Sequence, residues 1–282
     1  MLAAVECAVE IARDKSIGPK AIGRGTSMPG RGSTAASSPD RSISEGGRSS
    51  QRAVKLARVG RRRIKALVKA APGLELAALL ASGDDGIIGI DLKRNDLIRI
   101  RPQPGTTQLT TQASIQPFDI LVAQRSRVVE PEDPAMPEAF TATIDAEPAG
   151  RLSGGVARSL LSDLSVACAH DVLGFPGWSL PYWQLDGMRP SIALVVPKDG
   201  PVLCRRDKGS TWVRFRGDGG ELMLPAAGSD LIAALESSDG DTLGGKPLAQ
   251  ALGFRPHFML IALSSPRDGH CYKTVAALLP KP

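Results

Sequence analysis

The sequence predicts an α+β protein: a predominantly antiparallel β body, in small sheets or a partly open barrel, with a few short helices. A disordered N-terminal tail and a basic helix precede that body. Three observations carry this prediction. After Pro190 the runs SIALVV, PVLCRR, TWVRFR and ELMLP follow one another across PKDG, DKGS and GDGG, the spacing of a β-meander. Between Gly86 and Pro102, GIIGIDL and DLIRIRP flank Lys93, Arg94 and Asn95 as the two arms of a hairpin. Helical periodicity, by contrast, is confined to short segments.

Along the chain, residues 16–51 are Gly, Ser, Pro and Arg with few large apolar groups, too little to offset the cost of ordering a backbone. Residues 1–51 are therefore expected to be a disordered tail. Their start is not expected to act as a secretory signal, because Glu6 and Glu10 interrupt the apolar stretch and no basic region precedes it. Residues 52–82 are expected to form a basic amphipathic helix followed by a short helix. RAVKLARVGRRRIKALVKA holds eight basic residues and no acidic one, and Ile64, Leu67, Val68 and Ala71 share one helical face. LELAALLAS is expected to be the short helix, with Pro72 at its first turn and Gly83 beyond its end.

Residues 83–150 are expected to be a small antiparallel sheet unit, in which FDILVAQ and FTATIDA add strands around the Pro-rich acidic loop EPEDPAMPE. Residues 151–282 are expected to hold a helix over 152–173 capped by Ser153, then the meander, two short helices and a final hairpin. That segment either stands alone or forms one domain with 83–150. Gly253 is placed to stop the second short helix.

Charge is unevenly spread. Residues 1–71 carry 15 Lys/Arg and five Asp/Glu, so the overall +6 is concentrated there and the body is mildly acidic. The basic helix makes Arg52, Lys55, Arg58, Arg61, Arg62, Arg63, Lys65 and Lys69 candidate contacts for nucleic acid or an acidic protein partner, ahead of a membrane surface. No aromatic or Asn in that segment offers base readout. There is no run of eighteen apolar residues and therefore no expected transmembrane segment. Cys7, Cys168, Cys204 and Cys271 are scattered without a CxxC pair, which predicts reduced thiols and a cytoplasmic location, with no metal and no cofactor.

Two places could carry chemistry. GFPGWSLPYW packs four aromatics into ten residues, and Trp178, Tyr182, Trp183, Trp212 and Arg214 are the candidate ligand-binding set. The final hairpin turn, PRDGHCYK, has standard turn chemistry but also supplies Arg267, Asp268, His270 and Cys271, to which the fold could bring His257. His270 itself cannot serve Cys271, since strand neighbours face opposite ways. The expected function is that of a non-catalytic binding or adaptor protein acting through the basic helix. The alternative is a hydrolase with its site at the final hairpin, centred on His257, Asp268, His270 and Cys271.

Overall fold

The structure, a computed structural model, describes residues 56–103, 115–127, 133–145, 148–206 and 209–282. The expected disordered tail, with Arg52 and Lys55, lies outside them. The fold is α+β. Strands β1 (Arg58–Val59), β2 (Glu75–Gly83), β3 (Gly86–Asp91), β4 (Asp96–Pro102), β5 (Asp119–Arg125), β6 (Ala139–Ile144) and β7 (Gly150–Leu152) make one sheet. β2, β3 and β4 form an antiparallel meander, and β5 returns to lie beside β2, which is Greek-key order. β6 then pairs parallel with β4 and antiparallel with β5, closing a five-stranded barrel. Ala77, Leu79, Ile87, Ile98, Ile100, Leu121, Ala123 and Ala142 fill its interior.

Two expectations are corrected here. LELAALLAS forms no helix: it is strand β2, with Ala77 and Leu79 facing into the barrel and Leu76, Ala78 and Leu80 facing out into a core outside it. A strand buried on both faces is a continuous apolar run, in which alternation is lost and a buried helix looks the same. The basic helix is also shorter than 52–70. Helix α1 spans Arg61–Ala70, and the residues before it are strand β1, paired in parallel with β7 across Arg58↔Arg151 and Val59↔Leu152. Gly60, extended at ψ 171, separates strand from helix.

The β2–β3 turn has a steric requirement. Gly86 has φ +107, and a Cβ there would lie 2.5 Å from the Ile100 carbonyl oxygen. Gly86→Ala is expected to cost about 1–3 kcal/mol, read as a lower urea midpoint at unchanged slope.

Helix α2 (Gly154–Leu164) starts after Ser153 as expected, although the Ser153 side chain makes no cap hydrogen bond. It ends well short of residue 173, because strand β8 (Ser165–Val166) turns away to pair in parallel with β10 (Ile192–Val195). β10 is the third correction: SIALVV leaves the expected meander and joins a second sheet. That sheet adds β9 (Ser179–Pro181), β15 (Pro256–Leu263) and β16 (His270–Pro280) in the order β8-β10-β15-β16-β9. The remaining meander strands are β11 (Asp199–Arg205), β12 (Thr211–Gly217) and β13 (Gly220–Pro225); with β14 (Thr242–Gly244) they form a third sheet, β13-β12-β11-β14.

The second sheet is a wall between two cores. Ile192, Leu194, Phe258, Leu260 and Ala262 face the outside of the barrel, together with Ile64 and Leu67 of α1 and Leu161 of α2. Ala193, Val195, Met259, Ile261 and Leu263 face Leu203, Val213, Phe215 and Leu224 of the third sheet. Helices α3 (Ser229–Glu236) and α4 (Gly245–Leu252) close that second core with Leu231, Leu235 and Leu248. Strand β16 serves both cores by means of a bulge. The register passes from Leu260↔Ala277 to Ile261↔Val275, leaving Ala276 as the extra residue. Cys271 and Val275 therefore face one core, whereas Ala277 and Leu279 face the other. Gly253, at φ +75, ends α4 as expected.

Candidate functional site

The final hairpin turn is open. Arg267, Asp268 and Gly269 are exposed, and the turn closes through reciprocal backbone hydrogen bonds between Arg267 and His270 at 2.8 and 3.0 Å. His270 Nδ1 lies 3.2 Å from the Asp268 carbonyl oxygen. Cys271 points the other way and is fully buried. Burial, helped by the negative charges of Asp133 and Asp85, pushes its thiol up to about 11. His257 stands at the far end of the hairpin, where Pro256 pairs with Pro280 and Phe258 with Leu279. Cys271 and Leu279 are eight steps apart along the strand, or about 26 Å at the usual rise per residue. His170 is engaged elsewhere, its Nε2 2.9 Å from the Gly219 carbonyl oxygen.

The fold therefore does not bring His257, Asp268, His270 and Cys271 together, and no imidazole is placed to take a proton from Cys271. Cys168 is likewise buried, its thiol held at about 11 by burial and Asp218. In the native protein at pH 8, Cys168, Cys204 and Cys271 are expected to resist alkylation and to react only after unfolding. Peptide mapping after a pulse of iodoacetamide checks this, and rapid native labelling of Cys271 would restore the hydrolase reading.

Beneath the turn lie polar groups that the sequence did not single out. Arg99, alternating outward on β4 between Ile98 and Ile100, is only 1 % exposed because the second sheet covers it. Its Nη2 donates to the Leu263 carbonyl at 3.0 Å, and Nη1 lies 4.0 Å from Asp85. Burial lowers its pKa, opposed by Asp85 and Glu138. Asp85 in turn accepts from Ser265 Oγ at 2.5 Å and from the Ser265 backbone N–H at 3.3 Å. Glu138 accepts the Ser191 backbone N–H at 2.8 Å. Together they form a polar joint between the barrel and the second sheet. Lys273 is the other buried cation: its Nζ donates to the carbonyls of Phe175 at 2.6 Å and His170 at 3.2 Å, and stands 4.1 Å from the Phe175 ring centroid. Burial brings its pKa down to about 8, against the pull of Asp171.

On the opposite face of β16, rings line up. His270 and Tyr272 alternate with buried Cys271 and Lys273, so they share the outward side. Trp183 meets His270 at 6.0 Å between centroids, His270 meets Tyr272 at 6.5 Å, Tyr272 meets Trp178 at 5.1 Å, and Trp178 meets Trp212 at 5.7 Å. The Arg206 guanidinium lies over Trp212 at 5.0 Å. Trp178 is 46 % and Trp183 72 % exposed, so this is a strip open to solvent.

The 3₁₀ turns Val172–Gly174 and Tyr182–Gln184, on either side of β9, set out the segment that carries Trp178 and Trp183. Lys273 ties the first of them to β16 through the Phe175 carbonyl. Of the candidate ligand set, Trp178, Trp183 and Trp212 belong to the strip. Arg214 shares the outer face of β12 with Trp212. Tyr182 turns inward instead, its OH 3.4 Å from Asp133 and its ring against the second core. The sequence reading missed Arg206, His270 and Tyr272 as strip members. The alternation of β16 held the signal for the last two.

The basic helix docks through its apolar stripe. Ile64 and Leu67 are buried, whereas Arg58, Arg61, Arg62, Lys65 and Lys69 are exposed and Arg63 is half-buried. Arg61 Nη2 donates to Ser159 Oγ on α2 at 2.5 Å.

Among the described residues, no group of three or more His, Cys, Asp or Glu could hold a metal ion, and no helix is long and apolar enough to cross a membrane. No protein-family model matches the chain, and no curated protein matches it at a significant level.

Proposed function

We propose that the chain is a non-catalytic binding protein whose ligand is single-stranded nucleic acid, held on the aromatic strip, with the basic helix as a second, sequence-independent contact. The observation that carries this reading is the solvent-open run Trp183, His270, Tyr272, Trp178 and Trp212, ending under Arg206. Stacking platforms flanked by cations are how unpaired bases are held, because every base has a face to stack and every linkage carries a negative charge. Arg206, Arg214 and Arg267 supply positive charge along the strip, opposed by Asp268 at the turn. Small Greek-key barrels can bind oligonucleotides across the face of their second and third strands. Here that face carries Ile88, Ile90 and Arg99, all buried, so the reading does not use it. A cytoplasmic location is proposed with this function, supported by the unpaired thiols of Cys168, Cys204 and Cys271.

Titrating the full chain with a single-stranded homopolymer while following tryptophan fluorescence tests the reading. Quenching is expected at low salt and should weaken steeply as salt rises. Trp178→Ala is expected to weaken binding about tenfold, the loss of one stacked base. Reversing Arg62 and Lys65 to Glu should flatten the salt dependence. An unquenched signal at low salt, or equal affinity in Trp178→Ala, would overturn the proposal; binding of a neutral oligosaccharide instead would reassign the strip to sugar rings.

A further inference from the structure

At the far end of the β15–β16 hairpin from the aromatic strip, a cleft of about 580 Å³ opens between the β10–β11 turn and the residues that enter β15 and leave β16. Its charged and aromatic lining is Lys198, Asp199, Phe254, Arg255, His257 and Lys281, with prolines on both walls. Two of these charges are already matched: Lys198 pairs with Asp218 at 2.9 Å, and Asp199 lies 3.8 Å from Arg216. Arg255 and Lys281 make no ion pair among the described residues. The cleft thus gathers two uncompensated permanent cations and an imidazole beside apolar walls.

We propose that this cleft binds a small phosphate monoester with an apolar or aromatic body, the phosphate between Arg255, Lys281 and His257 and the body against Phe254 and the prolines. The charge count selects phosphate over carboxylate. Two fixed cations and one titratable base are matched by a group that carries close to two negative charges at neutral pH, and three acceptor oxygens suit three donors. His257 is poised to respond. Its pKa is lowered by burial first, then by Lys281 and Arg255, which disfavours the imidazolium. Lys198 and Asp199 also line the cleft, but each is held by its own partner, Asp218 and Arg216. An anion seated among these groups favours the imidazolium and recruits a third charged donor. The site lies apart from the aromatic strip, and the proposal does not rest on the nucleic-acid reading.

Calorimetric titration of the full chain with phenyl phosphate, beside benzoate and inorganic phosphate, tests it. Phenyl phosphate is expected to bind at least fivefold tighter than either. Arg255→Ala with Lys281→Ala should weaken it at least tenfold at an unchanged melting temperature, since both side chains are exposed. The His257 ring signal in proton NMR should titrate at higher pH with phenyl phosphate bound, and His257→Gln should abolish proton uptake on binding. Trp178→Ala should leave all of this unchanged. No heat at millimolar phenyl phosphate, equal binding of benzoate, or affinity untouched by the double substitution would overturn the proposal.

Discussion

Arg99→Ala is expected to lower the unfolding free energy by about 3–5 kcal/mol, the cost of breaking a buried charged contact from one side. Arg99 is almost fully enclosed, and its guanidinium meets the Leu263 carbonyl on one side and the acidic pair Asp85 and Glu138 on the other. Its removal leaves a cavity, a carbonyl without that donor, and two carboxylates with less positive charge between barrel and sheet. Arg99→Met restores most of the volume and should recover part of the loss. Adding Glu138→Gln to Arg99→Met should recover more, because it withdraws a carboxylate that no longer faces a cation. Urea unfolding of the wild type and the three variants, followed by far-UV circular dichroism, gives the order. Equal stability of Arg99→Ala and the wild type would show that the joint contributes nothing to holding the two sheets together.

Lys273 is expected to make stability rise with pH above about 8. Its native pKa is lowered to about 8, whereas the unfolded side chain titrates near the ordinary lysine value of about 10.4. Between those values the unfolded chain binds a proton that the native chain does not, so the unfolding free energy increases with pH. At about 1.4 kcal/mol per pH unit, the gain accumulates to about 3 kcal/mol by pH 10.5 and is absent below pH 8. Lys273→Met removes this slope. It also leaves the Phe175 and His170 carbonyls without the ammonium donor, at a cost of about 1–3 kcal/mol. Subtracting the pH profiles of variant and wild type cancels the other lysines and the tyrosines. A difference that stays flat from pH 8 to 10.5 would show that Lys273 keeps an ordinary pKa.

The legible parts of the sequence were those where one face meets water. TWVRFR reads correctly because Val213 and Phe215 are buried and Arg216 is exposed, and the β15–β16 hairpin is marked by a turn of Pro, Arg, Asp and Gly between apolar runs. The segments misread are those enclosed on both sides. LELAALLAS lacks a period because the barrel interior takes Ala77 and Leu79 while the second sheet takes Leu76, Ala78 and Leu80. SIALVV reads with its sequence neighbours because nothing in four residues buried on both faces names the partner strand, which lies more than sixty residues on at Met259–Ala262. Arg99 hid for a related reason: an Arg alternating with Ile is the signature of a solvent face, and only the docking of another sheet turns that face inward. Of the five candidate ligand residues, Trp178, Trp183 and Trp212 fall on the aromatic strip, and tryptophans near turns are rare enough to stand out in a sequence. His270 and Tyr272 do not read as ring partners in the sequence, because the Cys271 thiol between them makes the turn look like a catalytic one.

The wall shared by the two cores also sets a timetable for synthesis. The barrel strands leave the ribosome early, yet their outer face is covered by β15 and β16, and the Asp85–Ser265 hydrogen bond spans 180 residues. At about 5–20 residues per second, Leu76, Leu80, Ile88 and Ile90 stay uncovered for about 10–40 s before their partners emerge. The growing chain thus presents an apolar sheet face for far longer than a local fold needs to form, which makes the half-made protein a substrate for holding chaperones until its last hairpin arrives.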